Sequence, residues 1–491
     1  MNTEIKNTQV SLEGLLEVLG ENLYSTPNVA IRELIQNSYD ACIRRQLESQ
    51  WDSRPQVIIE TNSIQNTITI TDNGSGLTRQ EIIDYLATIG SGYTRQLRNQ
   101  TSNENAVGFF GLGFLTAYVV SDSVELLTTS YQQADTGWRF ISRGGQQYSI
   151  EEIDPIAIGT KIIISLSDNY YELADPEILE FVIQKYCCLL PIDIFLNGSE
   201  EPVNRIDVPW RMSRKDHSEL RIKRAGLAMS ALFDYSFDPI TAIDISHDEA
   251  ELKISGLLWF QDGAYYESSD NRVTTIFVRS MHITDECKDL LPNWAGFVGC
   301  IIDCASLAPT ASRESIQQNE VFVSIKEIIK HKLVQALAYI AKNEPHNWRR
   351  LLAVHNQNLM GAAVSDPDLF AVMQDDLTLP TSEGELCVQD ILKKSDDNKI
   401  RVALEETSGY EYLVSKSLGI PVVYGYRFAV MSFCRALADS HGIEVITVGT
   451  SDSSDALFPE ANVSSRLKNC LEKNFLEPGS RLVISHYEPV S

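Results

Sequence analysis

Positions 31–41, Ile-Arg-Glu-Leu-Ile-Gln-Asn-Ser-Tyr-Asp-Ala, constrain this chain more than any other segment. At about 100° per helical residue, Glu33, Asn37 and Asp40 stand at i, i+4 and i+7 and fall on one narrow helix face. Ile31, Leu34, Ile35 and Ala41 supply an apolar stripe between them. The pattern predicts a helix that buries one side and gathers a carboxylate, an amide and a second carboxylate on the other. A carboxylate can activate a water, and an amide oxygen can hold a hard cation such as Mg²⁺. An ordinary surface helix carries the same residue types, so the segment needs support from elsewhere.

Three later segments supply it. The alternating run Thr67-Ile-Thr-Ile70 reads as a strand and leads into Asp72-Asn-Gly74-Ser-Gly76. Two glycines let the backbone pass close to a flat ligand, and the acid can accept from an exocyclic amine. The same residues would also suit a turn into a helix capped by Thr78. Next, Gly108-Phe-Phe-Gly111-Leu112-Gly113-Phe114 precedes an apolar helical run to Val120. Glycines before a helix can cradle phosphate with backbone amides, although close packing explains them as well. Finally, Gly159-Thr160 opens the strand Lys161-Ile-Ile-Ile-Ser165.

The order and spacing of these four segments resemble the nucleotide-binding motifs of the GHKL ATPase superfamily, and most closely its Hsp90 branch. Leu86-Ala-Thr-Ile-Gly90 looks like the start of that family's ATP lid. Farther on, Ile276 to Asp285, Leu291 to Asp303 and Leu307 to Gln318 resemble successive elements of the Hsp90 middle domain, the last its catalytic loop. The lid departs from the family pattern. A lysine usually follows the Thr-Ile step, whereas this chain reads Thr88-Ile-Gly-Ser-Gly-Tyr-Thr-Arg95.

The resemblance implies an α/β (α+β) architecture: a GHKL, or Bergerat, two-layer sandwich over 1–200, then a middle region of two α/β units over 201–345 and 346–450, with 451–491 as an extension. It implies ATP and ADP as ligands and Mg²⁺ as the metal. Glu33 would deprotonate the attacking water, Asn37 would ligate Mg²⁺, and Asp72 would accept from the adenine amine. Gly76 and Thr160 would lie near the base and Asp40 near the sugar. Gly108, Gly111, Leu112, Gly113 and Phe114 would offer main-chain amides to the phosphates. Arg313, supported by Gln317, would reach the γ-phosphate from the second domain as an arginine finger. For Arg313 the plainer alternative is a salt bridge at a helix start capped by Ser312.

Composition narrows the partners. The chain of 491 residues carries 67 acids against 41 bases, a net charge of −26, which opposes a polyanion-binding surface. The basic residues between Arg205 and Arg224 are mixed with acids and read as a solvated face. Nine cysteines without a Cys-x-x-Cys pair, a polar N-terminus and the lack of a long apolar run fit a reducing cytosol and no membrane. Cys187-Cys188 reads as core.

Along the chain, helices are expected near 10–23, 28–47, 79–89 and 176–188, and strands near 56–60, 66–71 and 192–196. Gly90 to Ala106 reads as a mobile segment, and Gly198 to about Lys223 as a linker. Spacing predicts a helix over 325–340. Strands are expected from Val402, over 419–425 and over 442–448, with Phe428 to Ser440 amphipathic between them, and Arg481 to Ser485 is strand-like. Hsp90 proteins usually continue into a dimerisation domain of over a hundred residues, whereas this sequence stops at Ser491: either it is a shortened relative or it is a piece of a longer chain, and a homodimer is expected to be weaker if that domain is absent.

The leading expectation is an Hsp90-like chaperone that couples ATP hydrolysis to docking of its domains and to remodelling of protein clients or a dedicated partner. The alternative is a GHKL switch that gates one specific partner without general chaperone activity. A sensor histidine kinase would need an upstream phospho-acceptor helix, and none of the 32 residues before Glu33 is a histidine.

Overall fold

The computed structural model describes residues 27–87, 113–145, 147–249, 252–263, 271–310, 314–395, 398–406, 410–448, 461–476, 482 and 484. Two units divide the chain: Met1–Trp259 with Arg272–Leu291 and Val298–Ile329, and Phe260–Asn271 with Pro292–Phe297 and Lys330–Ser491.

The first unit is built on helix α1 (Asn28–Glu48) and a seven-stranded sheet of β1 (Gln56–Asn62), β2 (Thr67–Asp72), β3 (Ser121–Thr129), β4 (Gly137–Arg143), β5 (Gln147–Ile153), β6 (Gly159–Leu166) and β7 (Asp193–Leu196). The order is β5-β4-β3-β6-β2-β1-β7. All neighbours run antiparallel except β1 and β7. Side chains alternate between faces along a strand, so register decides which residues meet. Ile68, Ile164 and Val124 form one row across β2, β6 and β3, and Ile70, Ile162 and Leu126 form the next. All six are buried in one core with Ile31, Leu34 and Ile35 of α1. Short helices α2 (Arg79–Tyr85) and α3 (Ala117–Val120) and the longer α4 (Pro176–Cys187) complete this layer. Thr78 caps α2 in a capping box with Glu81, as the sequence predicts.

A second sheet in this unit contains β8 (Pro239–Asp244), β9 (His247–Glu249), β10 (Leu252–Gln261), β11 (Val273–Val278), β12 (Met281–Thr284) and β13 (Val298–Asp303), preceded by helix α5 (Glu219–Phe233). The strand order is β12-β11-β13-β10-β8, with β9 on β10. Arg279 and Ser280 form the two-residue turn between β11 and β12, with φ of 54° and 65°. The carboxylate of Asp303 holds that turn by accepting from the Ser280 amide at 3.0 Å.

The second unit carries α7 (Pro345–Ser365), α8 (Pro367–Met373) and a five-stranded sheet. Its strands are β14 (Thr378–Thr381), β15 (Gly384–Cys387), β16 (Lys399–Ala403), β17 (Val422–Tyr424) and β18 (Glu444–Val448), with helices α9 (Val388–Ser395), α10 (Tyr410–Leu418) and α11 (Val430–His441) between them. The order is β15-β14-β17-β16-β18. Helix α6 (Glu320–Asn343) precedes them, and α12 (Ser465–Phe475) follows. None of the described helices is long and apolar enough to cross a membrane.

Several local expectations change. The segment 198–223 is not a solvated linker throughout. Asn204 within it is only 2% exposed, and its amide donates to the carbonyl of Ile192 at 2.9 Å while its oxygen accepts from the Ile194 amide at 3.0 Å. Helix α5 then begins at Glu219, capped by Ser218. Val402 lies near the end of β16, because the apolar run starts earlier, at Ile400. Ser312 lies outside the described residues, and α6 begins only at Glu320, where Asn319 accepts from the Phe322 amide at 3.0 Å. The helix expected near 10–23 and the segment Gly90 to Ala106 lie outside the described residues, as does most of Arg481 to Ser485.

Candidate nucleotide site

The apolar rows of the seven-stranded sheet end in polar residues. One step beyond Ile70, Ile162 and Leu126, the same register brings Asp72, Thr160 and Thr128 side by side on the core face. All three are buried. The Thr128 hydroxyl donates to the Gly159 carbonyl at 2.9 Å, accepts from the Leu77 amide at 2.9 Å and lies 3.3 Å from the Thr160 hydroxyl. A polar floor thus closes one end of an otherwise apolar layer.

The loop after β2 folds over this floor because its glycines permit close approach. Oδ1 of Asp72 accepts from the Gly74 amide at 2.8 Å. The Ser75 amide donates to the Ala41 carbonyl of α1 at 3.0 Å. A Cβ on Gly74 would sit 2.8 Å from that of Ala41. Gly76 has φ +61°, and a Cβ there would come within 2.0 Å of the Thr129 carbonyl oxygen. Arg45 secures the loop from below, donating to the Asn73 carbonyl at 2.7 Å while its guanidinium stacks 4.7 Å over Trp51.

Burial pushes the Asp72 carboxyl up to about 7, against the amides of Gly74 and Thr160, the nearby Ser38 hydroxyl and the Arg45 charge, which favour the anion. The groups facing it directly are dipoles rather than a cation, and dipoles offset only part of the desolvation of a charge. Asp72 is therefore a buried acceptor with capacity for a further donor.

Helix α1 departs from the expectation of one buried side. Arg32, Glu33, Gln36 and Ser38 are buried along with its apolar residues, while Asn37 and Asp40 are half-buried. Glu33 is 2% exposed, and its Oε1 lies 3.3 Å from a guanidinium nitrogen of the equally buried Arg32. Arg44 ties the same helix to Glu81, and so to the α2 capping box.

The remaining candidates separate. Gly108, Gly111, Leu112 and Arg313 lie outside the described residues. Gly113 opens a 3-10 turn that runs to Thr116. Phe114 is a core aromatic, edge-on to Tyr118 at 5.7 Å and Phe140 at 6.3 Å. Gln317 braces its own loop: its amide nitrogen donates to the Pro309 carbonyl at 2.9 Å, and its backbone amide to that of Ala308 at 2.9 Å. Sequence reasoning missed Thr128, Arg32 and Ser38. The alternation Val124, Leu126, Thr128 carried a signal for the first. Nothing in the spacing of adjacent residues signalled the pairing of Arg32 with Glu33.

A helix bearing buried Glu33 beside half-buried Asn37 thus lies over a sheet that ends in Asp72 and Thr160. Residues 24–162 match the family model described as histidine kinase-, DNA gyrase B-, and HSP90-like ATPase. Residues 238–385 match the Hsp90 protein model. Similar relatives include the chaperone protein HtpG of Chlorobaculum tepidum, 28% identical over 365 residues that cover 70% of this chain and 57% of the relative. That of Chlorobium chlorochromatii is 26% identical over 360 residues, covering 70% and 56%. The HtpG of Fusobacterium nucleatum is 25% identical over 438 residues, covering 84% and 70%. Over these spans the chain is similar to Hsp90-family proteins. It spans a little over half the length of the first of these relatives.

Proposed function

We propose that this protein binds ATP and ADP at the Asp72 site and hydrolyses ATP with Mg²⁺, as an Hsp90-like chaperone acting in the cytoplasm on protein clients or a dedicated partner. The observation that carries the reading is the row of Asp72, Thr160 and Thr128 closing the sheet beneath α1. A buried carboxylate with lone-pair capacity beyond the donors that face it suits the exocyclic amine of adenine, and hydroxyls beside it suit the ring nitrogens. Gly76 lets the backbone stay flat beside the base, and Asp40 lies toward the sugar.

In this reading Glu33 takes a proton from the attacking water. Its carboxylate is held by Arg32, so it must turn from that partner to act as a base. Asn37, half-buried one turn on, would hold Mg²⁺, which supplies charge neutralisation at the phosphates. The amides from Gly108 through Phe114 would cradle the phosphates. Arg313 would add charge at the γ-phosphate, with Gln317 fixing the loop that carries it. Hydrolysis of this kind depends on positioning and charge rather than covalent chemistry.

Calorimetry and a phosphate-release assay on Glu33→Ala test the assignment. Turnover should fall about 10²- to 10⁴-fold, the usual worth of a general base. Nucleotide affinity should change little, because Asp72 and the loops hold the ligand. A Glu33→Ala protein that loses affinity as severely as Asp72→Asn would sink the assignment. ATP-dependent suppression of aggregation across several unrelated unfolded proteins supports a general chaperone, whereas activity toward one partner alone supports a dedicated switch.

A further inference from the structure

A cavity of about 730 Å³ lies on the side of α1 away from the Asp72 loop, wholly within the first unit. At about 100° per residue, Tyr39, Ile43 and Gln46 share the helix face that lines it. Ala41 and Arg45, which meet the Asp72 loop, fall on the opposite face. The other wall runs from Leu190 into β7 and returns from Asn204 to Arg211. The floor is apolar: Ile192 and Val208 are buried, and Ile43 and Ile206 are half-buried. The rim is basic, with the exposed side chains of Arg54, Arg205 and Arg211. Two of these arginines belong to the stretch that composition alone reads as a solvated face. A space of this size suits a small molecule.

The wall holds more donors than its own acceptors can use. Two carboxylates line the cavity, and both are engaged. Oδ1 of Asp193 accepts from Nε and Nη2 of Arg205 at 3.0 and 2.7 Å, and its Oδ2 lies 2.8 Å from Nε of Arg54. Asp207 pairs with Arg221 at 3.3 Å. Arg211 directs one terminal nitrogen to the Leu189 carbonyl at 2.8 Å and the other to the Ser280 hydroxyl at 2.9 Å, and its carboxylate partner Asp303 is 3.9 Å away. A guanidinium carries five N–H donors, so each of the three rim arginines keeps N–H groups beyond these contacts. Tyr39 sharpens the imbalance. It is 6% exposed, yet its hydroxyl has no hydrogen-bond partner among the described residues. A buried hydroxyl left without a partner is unfavourable, and the cavity that Tyr39 lines is where one can be supplied.

We propose that this cavity is a second ligand site, separate from the nucleotide site, and that it takes a small organic oxyanion with an apolar body. The body rests on the floor of Ile43, Ile192 and Val208. The head accepts from the rim guanidiniums and the Tyr39 hydroxyl, whose planar forks and O–H suit an oxyanion. A cation finds no carboxylate left to receive it. In a chain of net charge −26 the three arginines make this rim a local exception, and an anion is drawn here rather than to the surrounding surface.

The test is calorimetric titration of the full chain with octanoate, and with octanamide, which keeps the apolar body and removes the charge. Octanoate should bind at one site per chain, and octanamide about tenfold more weakly. Tyr39→Phe keeps the buried ring and removes the hydroxyl, and should weaken octanoate about tenfold. Arg54→Gln changes an exposed rim position that folding does not depend on, and should weaken it about threefold while leaving octanamide unchanged. Saturating ADP should leave octanoate bound. Equal affinity for octanoate and octanamide overturns the proposal, as does a folded Tyr39→Phe protein that binds octanoate as tightly as wild type. Binding at many weak sites alone also overturns it, and so does displacement by ADP, which would place octanoate in the Asp72 site.

Discussion

Asp72 and Asp285 are two carboxylates of the first unit, and their surroundings treat the same charge in opposite ways. Asp72 meets the Gly74 and Thr160 amides and a hydroxyl, and burial pushes it up to about 7. Asp285, just past β12, meets the Lys185 ammonium of α4 at 2.7 Å, the His282 imidazole at 2.8 Å and the Thr275 hydroxyl at 3.0 Å, and is held below the usual range. At Asp72 the backbone dipoles offset only part of the loss of water around the anion, whereas at Asp285 an ion pair with further hydrogen bonds more than offsets it. The difference marks two kinds of polar site. One closes an apolar sheet and keeps capacity for a ligand's donors. The other is complete within the chain and fixes a neighbouring ring.

The largest expected separation is in ligand affinity. Asp72→Asn replaces an acceptor with a group that can also donate toward the adenine amine, and a mispaired buried group costs about 1–3 kcal/mol. ADP affinity should therefore fall about 10- to 100-fold by calorimetry. Asp285→Asn should leave it within about twofold, since it lies outside the proposed site. Equal losses in the two variants would erase the distinction.

A smaller effect comes from pH. With its carboxyl near 7, Asp72 is mostly protonated at pH 6 and mostly ionised at pH 8, and only the ionised form is a pure acceptor. Adenosine, free of titrating phosphates, should bind up to about tenfold more tightly at pH 8 than at pH 6. Asp72→Asn should bind it equally weakly at both. A flat wild-type profile would show that the carboxyl does not face the base.

Much of this contrast is invisible in the sequence, for reasons that particular residues make plain. Local periodicity carries the helix through Glu33, the strand ending at Asp72, the Thr78 cap and the helix through Ile325 to Ile340. Each depends on neighbours within a few residues. The pairing of Asp72 with Thr160 depends instead on strand register across almost ninety positions of chain. The Lys185–Asp285–His282 cluster needs two sheets to meet, and no local pattern encodes that. The burial of Glu33 was also illegible, because a polar helix face looks the same whether solvent or protein covers it. Asn204 misled the reading of its segment as solvated, since an asparagine that holds three buried carbonyls has the composition of a loop.

The smallest expected effect is on folding stability, where the two carboxylates should differ in sign. A carboxyl raised in the folded state contributes stability below its unfolded pKa of about 3.9 and loses it as pH rises through the folded value. Ionised Asp72 therefore costs the nucleotide-free protein stability above pH 7, and Asp72→Asn should recover about 1 kcal/mol at pH 8. Asp285 works the other way. A depressed carboxyl contributes stability above about pH 3.9 and loses it as pH falls through its lower folded value. Asp285→Asn should cost about 1–2 kcal/mol at pH 8, because it leaves the largely buried Lys185 without its counter-charge while solvent still reaches part of the site. The readout is the calorimetric transition that ADP shifts, which selects the unit containing both residues, at about 2–4 °C per kcal/mol. Wild type should also gain stability between pH 8 and pH 5.5 as Asp72 takes up a proton, and Asp72→Asn should lack that gain. An Asp285→Asn protein as stable as wild type at pH 8 would mean that Lys185 and His282 hold their positions without the carboxylate, and the two sites would then differ in burial alone.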